Sequence, residues 1–125
     1  GQVSDFAWAL WDFLPTAAEI GGVAPPAGLD GISILPTLMG KPQRGHEYLY
    51  WEFHERGFSQ AVRIGDWKGV RSRARTRPIE LYELKSDPEE RRDVAAQHPD
   101  VVSNIAEIMK SARTESRLFP IREVK

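Results

Sequence analysis

Residues 48–71 read YLYWEFHERGFSQAVRIGDWKGVR, and the pattern of this stretch decides the fold. Apolar side chains alternate along its first part, which predicts a β-strand over 47–53 with one side facing a core. The core-facing residues of this strand are predicted to be Leu49, Trp51 and Phe53. The Gly65-Asp66 pair separates two further apolar runs and predicts a tight hairpin turn, because glycine adopts positive φ without strain. The stretch therefore predicts an antiparallel meander.

Three more strands and a C-terminal helix complete the predicted fold. The strands are expected at 58–64, 67–71 and 79–84. A helix is predicted to begin at Pro99, where a missing N–H costs little, with His98 as its cap. The buried stripe of this helix is predicted to contain Val101, Ile105, Ile108 and Ala112. The predicted fold class is α+β, with a four-stranded antiparallel sheet packed against the C-terminal helix.

The N-terminal part of the chain predicts one more helix and a connection. The segment DFLPTAAEIGG at 12–22 predicts a helix capped by Asp12. The apolar stripe of this helix would hold Phe13, Ala17 and Ile20, and the neighbouring sequence offers no partner for it. Residues 23–45 are rich in proline and glycine, which predicts an extended linker with one helical turn near 35–39. An exposed apolar stripe of this kind would invite self-association.

The composition of the chain limits the classes of function that it can have. Hydrophobic residues make up 41% and charged residues 28%, which is typical of a globular domain. The formal net charge of −1 excludes a globally basic nucleic-acid binder. Cysteine is absent, so this chain supplies no disulfide, thiolate ligand or cysteine nucleophile. No apolar run approaches the roughly 18 to 20 residues that a membrane-spanning helix needs.

The polar residues before Gly57 could, first, bind a metal ion. His46 and His54 would share one face of a continuous strand, but they would lie roughly 26 Å apart at about 3.3 Å per residue. His54 and Glu52 are closer, yet two ligands at strand spacing do not make a zinc motif. The sequence therefore predicts no metal site made by this chain alone.

The same residues could, second, take part in acid/base catalysis. Glu52, His54 and Glu55 could supply a proton donor and an orienting carboxylate. In the alternative interpretation Glu52 pairs with Arg63 across the strands, and the other two residues only open the turn. The sequence has no Ser-centred nucleophile elbow and no phosphate-cradling glycine loop.

A basic segment at 68–77 is the third candidate. Its cations are Lys68, Arg71, Arg73, Arg75 and Arg77. These residues could contact an anionic substrate or partner, or they could form a solvated loop.

Five motifs, in one order, resemble a known family. They are DFLPTAAEIGGV at 12–23, GLDGISILPTLMG at 28–40, HEYLYWEFHE at 46–55, QAVRIGDWK at 60–68 and IELYELKSDPEERRDVA at 79–95. This series resembles the C-terminal part of type I sulfatases of the arylsulfatase kind, in the alkaline-phosphatase-like superfamily. The family's D-P-x-E-x-x-N-L-A signature is matched at Asp87, Pro88 and Ala95, and the sequence departs from it at Asp93 and Val94.

The resemblance implies a parent enzyme that hydrolyses sulfate esters and has an α/β catalytic domain preceding this region. In that family the reaction uses Ca²⁺ and a formylglycine residue made within a C/S-x-P-S-R motif. That motif is missing from this sequence. The resemblance thus implies that this chain contains no catalytic residue, no metal ligand and no cofactor site, and that it is inactive alone. It also suggests a periplasmic or secreted location for the parent.

The resemblance further implies a domain arrangement and a set of partners. Residues 1–22 would be the terminal helix of the catalytic domain, 23–45 a linker, and 46–125 the sulfatase C-terminal subdomain. The partners would be the missing N-terminal catalytic domain and a sulfated small molecule or glycan, with no nucleic acid and no membrane segment.

The turn after the first strand is the place where substrate contact is expected. It would reach the rim of the substrate cleft, where His54 or Arg56 is predicted to bind the non-sulfate part of the substrate. Two alternatives remain open: a non-catalytic anion- or glycan-binding interaction module, and the C-terminal part of a related phosphoesterase.

Overall fold

The computed structural model describes residue 1 and residues 3–55, 57–72 and 76–121. The chain divides into two compact units, Gly1–Glu47 and Tyr48–Lys125. The first unit contains a 3-10 turn and two helices: Leu10–Asp12, α1 (Phe13–Ile20) and α2 (Leu35–Leu38). The second unit contains four strands, a 3-10 turn and a helix: β1 (Leu49–Phe53), β2 (Ser59–Ile64), β3 (Trp67–Arg71), β4 (Glu80–Glu83), Ala95–Gln97 and α3 (Pro99–Ser111).

The four strands form one antiparallel sheet in the order β1-β2-β3-β4. Tyr50 is paired with Val62, Val62 with Gly69, and Gly69 with Leu81, so these four residues form one row across the sheet. Gly65 has a φ of 57° in the turn between β2 and β3, which is the conformation that favours glycine. The predicted α+β fold is confirmed.

Helix α3 packs on the face of the sheet that carries this row. The core cluster consists of Val62, Ile79, Leu81, Ile105 and Met109. Gly69 lies where the helix comes closest. A Cβ added to Gly69 would lie 2.7 Å from Ile105 Cγ2 and 3.1 Å from Ile79 Cγ2. A glycine at this position of β3 therefore allows α3 to approach the sheet.

The predicted core face of β1 is wrong. Tyr50, on the other face, packs against the core cluster, whereas Phe53 is 55% exposed. Leu49 is buried, but its cross-strand partner is Arg63, so its face also carries charge. Both faces of β1 carry large side chains, and alternation alone does not say which one the helix covers. The helix lies on the face where Gly69 leaves room.

His98 occupies the predicted N-cap position of α3, but its side chain makes no cap hydrogen bond. Its ring instead packs on Trp67, with 4.6 Å between the ring centroids and 51° between the ring planes. The predicted start of the helix at Pro99 is confirmed. The N-terminus of α3 is therefore fixed by packing against the sheet rather than by a capping side chain.

The segment that leads to α3 is joined to β4 by its backbone. Val94 N–H donates to Leu81 O at 2.8 Å, and Leu81 N–H donates to Asp93 Oδ1 at 3.0 Å. Asp93 Oδ1 also accepts from Ala95 N–H at 2.9 Å. Asp93 thus supplies an acceptor oxygen that the asparagine of the family signature could equally supply.

Asp12 organises the N-terminal unit. Its side chain is fully buried, and its two oxygens accept from Ala9 N–H and Ile32 N–H, both at 2.9 Å. His46 Nε2 lies 2.9 and 3.0 Å from the same two oxygens. Asp12 is the N-cap residue of α1, as predicted, but its side chain makes no cap hydrogen bond to that helix. The side chain instead joins residues before and after the helix.

The segment predicted as a linker contacts α1 directly. Ile34 N–H donates to Thr16 Oγ1 at 3.0 Å, and the Thr16 hydroxyl donates to Asp12 O at 2.6 Å. The buried residues of α1 are Pro15, Thr16 and Ala18, whereas the predicted apolar stripe is exposed, with Phe13 at 65% and Ile20 at 64%. The assignment of these residues to parts of a larger protein, and self-association through the stripe, stay predictions.

Candidate functional site

Glu52 and His54 come together at the C-terminal end of β1. His54 Nε2 lies 3.0 Å from Glu52 Oε2. The His54 ring packs edge-on against Phe58 at 5.2 Å and against Phe119 at 5.9 Å between ring centroids. Its side chain is nevertheless 27% exposed. His54 is therefore held in a fixed orientation and remains accessible to a ligand.

Arg113 is the member of the site that sequence reasoning missed. Its Nη1 donates to Glu52 Oε2 across 61 residues of sequence, and its side chain is only 5% exposed. The guanidinium also contacts Glu115 Oε1 at 3.2 Å and Phe119 O at 3.1 Å. Its carbon lies 5.7 Å from the centre of the Phe58 ring. No spacing in the sequence links Arg113 to β1, because the contact depends on where α3 ends.

Tyr50 and Gln60 connect the site to the core. The Tyr50 hydroxyl donates to Glu52 Oε1. Gln60 Nε2 donates to Tyr50 OH at 2.8 Å and to Met109 O at 3.2 Å. These bonds satisfy the amide nitrogen of a side chain that is almost completely buried. The network thus joins β1, β2 and α3 behind His54.

The charges in this network are fixed by their surroundings. Burial by itself raises the pKa of Glu52, but hydrogen bonds from Arg113, Tyr50 and His54 outweigh it, so the pKa lies below its ordinary value. Burial, with a further contribution from Glu52, raises the pKa of Tyr50 to about 12. The hydrogen bond to Glu52 raises the pKa of Arg113. Near neutral pH, Glu52 is therefore an anion, Tyr50 a neutral donor and Arg113 a cation.

The arrangement determines what His54 can offer. An ionised carboxylate only accepts hydrogen bonds, so the His54 nitrogen that faces Glu52 carries a proton. In neutral imidazole the other nitrogen, Nδ1, is then the acceptor. Among the described residues no hydrogen-bond partner of Nδ1 is found. The site can thus bind a ligand donor at Nδ1, while Glu52 is occupied in holding the ring.

The other residues predicted for the site are exposed, lie on the opposite face of the sheet, or lie outside the described residues. Glu55 is exposed. Arg56 lies outside the described residues, so its substrate contact stays a prediction. The predicted pair of Glu52 with Arg63 is wrong, because Arg63 lies on the opposite face of the sheet, in register with Leu49. Its Nε donates to Gly65 O at 3.1 Å.

Each of the two histidines that were weighed as metal ligands is engaged by a single carboxylate. His46 contacts Asp12 and His54 contacts Glu52. No three His, Asp or Glu side chains come together as a metal site within the described part of the chain.

The basic segment 68–77 is only partly described. Lys68 Nζ lies 2.6 Å from Glu90 Oε1, so its charge is compensated within the chain. Residues 73–75, which include two of the five cations, lie outside the described residues. An anion-binding role for this segment stays a prediction.

The chain matches, over residues 2–116, the family described as N-sulphoglucosamine sulphohydrolase, C-terminal. The chain belongs to this family. It corresponds to the C-terminal part of a sulfatase of the alkaline-phosphatase-like superfamily, so the resemblance read from the five motifs is confirmed.

Named sulfatases are among its relatives. The Delta 4,5-hexuronate-2-O-sulfatase of Bacteroides thetaiotaomicron is 36% identical over 90 residues, which cover 67% of this chain and 18% of that protein. Arylsulfatase K of Bos taurus is 31% identical over 121 residues, covering 88% of this chain and 22% of that protein. The chain therefore spans about a fifth of the length of these sulfatase family members.

Solved structures share the fold of the sulfatase C-terminal part. A 2-O GAG sulfatase aligns with a TM-score of 0.70 and 30% identity, over 81% of this chain and 23% of that one. The phosphonate monoester hydrolase of Agrobacterium radiobacter aligns with a TM-score of 0.61 and 28% identity, over 80% of this chain and 23% of that one. Within the described residues, no helix has the length and apolar character needed to cross a membrane.

Proposed function

We propose that this chain is the C-terminal subdomain of an enzyme that hydrolyses sulfate esters, and that it completes the substrate cleft of that enzyme. The observation that carries the proposal is the family match over residues 2–116, together with relatives named as sulfatases at 36% and 31% identity. The catalytic nucleophile and the metal ligands would belong to the rest of the parent.

His54 is the residue of this chain to which we assign contact with the substrate. It follows β1 directly, its ring is fixed by Glu52 and two phenylalanines, and it is partly exposed. A rigid, partly exposed hydrogen-bonding group is what a binding site requires for orienting a ligand. In this proposal His54 binds the non-sulfate part of the substrate, and Arg56 of the same turn assists it.

Ca²⁺ and formylglycine enter the proposal only through the parent. The described residues bring together no group of three side chains that fits a metal ion, and the sequence contains no C/S-x-P-S-R motif. The described residues therefore do not fit a metal ion, the sequence does not supply the formylglycine motif, and we assign this chain no step of the bond cleavage. Its proposed work is to bind and orient the substrate.

A phosphonate or phosphate monoester hydrolase is the second candidate. The observation that favours it is the 28% identity and TM-score of 0.61 with a phosphonate monoester hydrolase. The subdomain has the same fold in both classes of enzyme, so it does not by itself distinguish the ester that is cleaved.

A comparison of esters in the full-length parent tests the proposal. We expect the parent to release inorganic sulfate from 4-nitrophenyl sulfate or from a 2-O-sulfated unsaturated disaccharide with a higher kcat/KM than it shows for phenyl phosphonate monoesters. The 125-residue chain alone serves as the control, and it is expected to release no sulfate. A higher kcat/KM for the phosphonate ester would favour the second candidate.

A further inference from the structure

The carboxylate of Glu52 is surrounded by donors from two parts of the C-terminal unit. Tyr50 OH donates to Oε1, while Arg113 Nη1 and His54 Nε2 both contact Oε2. The side chain of Glu52 is 17% exposed. Both oxygens are thus committed to partners within the chain, which fits a residue that orients a neighbour rather than one that meets a substrate.

Arg113 is held more firmly than an ordinary surface arginine. Its guanidinium contacts two carboxylates, those of Glu52 and Glu115, and the carbonyl oxygen of Phe119. It also lies near the face of Phe58, whose ring contacts His54 as well. A 5% exposed guanidinium with this many contacts has little freedom to move, so it fixes the carboxylate that it binds.

We propose that Glu52 and Arg113 are positioning residues that orient the His54 ring with a proton on Nε2, so that the neutral form of the ring presents Nδ1 as an acceptor. Nδ1 would then accept a hydrogen bond from a hydroxyl or N–H group of the substrate. This inference rests on the proposed function, since it specifies what kind of substrate group His54 meets. It assigns a sugar-type hydrogen-bond donor to that contact and not a second sulfate.

The tautomer supports a donor over an anion. With the proton on Nε2, Nδ1 of the neutral ring carries only a lone pair, so it offers no proton to an anion. A hydroxyl or N–H group can donate to that lone pair.

The position of the His54 proton can be measured in the full chain by ¹⁵N and ¹³C NMR of the imidazole, at an alkaline pH where its chemical shifts no longer change with pH. We expect the unsubstituted chain to show only the Nε2-protonated form. Glu52→Met removes the acceptor at nearly constant length and should add the Nδ1-protonated form. Glu52→Gln keeps an acceptor oxygen and should show the same signal as the unsubstituted chain. Glu107→Met, at an exposed position of α3, should leave the signal unchanged. Both tautomers, or the Nδ1-protonated one, in the unsubstituted chain would overturn the proposal.

Kinetics in the full-length parent separate this inference from the proposed function. With 4-nitrophenyl sulfate or a 2-O-sulfated unsaturated disaccharide, we expect His54→Ala and Glu52→Met each to lower kcat/KM by about tenfold, the upper range for one hydrogen bond. The double variant should be no worse than His54→Ala, because Glu52 acts through His54. If His54→Ala has no effect, the proposed contact fails, whereas additive losses or an unaffected Glu52→Met overturn only the positioning role.

The pH profile distinguishes a donor ligand from an anion. The groups that face His54 are Glu52 from β1 and the aromatic rings of Phe58 and Phe119, with Tyr50 and Arg113 behind Glu52. Glu52, Tyr50 and Arg113 keep their charge states across neutral pH. The ratio of kcat/KM between the unsubstituted parent and His54→Ala should therefore persist as the pH is raised from neutral to alkaline values. A ratio that falls to one as the pH rises would show that an imidazolium binds an anion.

Discussion

Arg113 lies two residues beyond the end of α3 and donates to the carboxylate of Glu52 on β1, 61 residues earlier in the chain. This ion pair joins the end of the helix to the strand that carries His54. It is more than a surface salt bridge, because both side chains are largely buried and the same carboxylate also accepts from Tyr50 and His54. The orientation of the candidate site therefore depends on correct packing of α3.

Removal of the arginine should destabilise the C-terminal unit in a pH-dependent way. Arg113→Met leaves Glu52 without its cationic partner and should lower the free energy of unfolding by about 1.5–3 kcal/mol near neutral pH. The pKa of Glu52 is lowered in the folded state, so its contribution is present above the unfolded glutamate pKa of about 4.3 and is lost as the pH falls through the folded value. Urea unfolding at neutral and acidic pH measures both effects.

Lys110→Met is the matched control for that prediction. It breaks the exposed pair of Lys110 with Glu107, at 2.6 Å on the surface of α3, and should cost no more than about 0.5 kcal/mol. If the difference between Arg113→Met and the unsubstituted chain did not shrink on acidification, Glu52 would not be the group that Arg113 stabilises.

Gly69→Ala should destabilise the sheet–helix contact. The added Cβ would lie 2.7 Å from Ile105 Cγ2, so α3 must shift, at a cost of about 1–3 kcal/mol. In an Ile105→Ala background, which itself costs about 2–5 kcal/mol, the same change should cost little because the space is then empty. Gly45→Ala is the control, since its Cβ would meet only Phe6 at 3.8 Å. Equal costs for Gly69→Ala in both backgrounds, measured by thermal unfolding, would contradict the packing described.

Asp12→Ala should loosen the N-terminal unit. The change leaves the amides of Ala9 and Ile32 without their acceptor, and each unsatisfied amide costs about 1–3 kcal/mol where it is buried. Hydrogen exchange at these two amides should accelerate, while exposed Glu19→Ala should leave both rates unchanged. Protection that survives in Asp12→Ala would mean that the carboxylate does not hold residues 9 and 32 together.

The order and type of the elements could be predicted from the sequence because local signals determine them. The Gly65-Asp66 pair places the β2–β3 turn, and Pro99 places the start of α3. The covered face of β1 could not be predicted from β1 alone, since Leu49 and Tyr50 are both large and neighbouring. The signal lies in other strands: Arg63 and Lys68 mark the face that α3 does not cover, and Gly69 marks the face that the helix approaches.

The candidate site was predictable in its local part only. His54 and Glu52 are two residues apart, so alternation places them on the same side of the strand, and they do meet. Arg113 could not be found in this way, because its contact depends on the length of α3 and on how closely the helix lies on the sheet. The same limit explains the mistaken choice of Arg63 as the partner of Glu52, since that arginine lies on the opposite face.

The most direct test of the whole account is the kinetics of His54→Ala in the full-length parent. With a sulfate ester as substrate, we expect kcat/KM to fall by about tenfold while the melting temperature stays well above the assay temperature, because the ring lies at the partly exposed end of its network. Glu89→Ala, at an exposed position of the same unit, should change neither quantity. An unchanged kcat/KM in His54→Ala would contradict the claim that this subdomain contributes His54 to the substrate cleft.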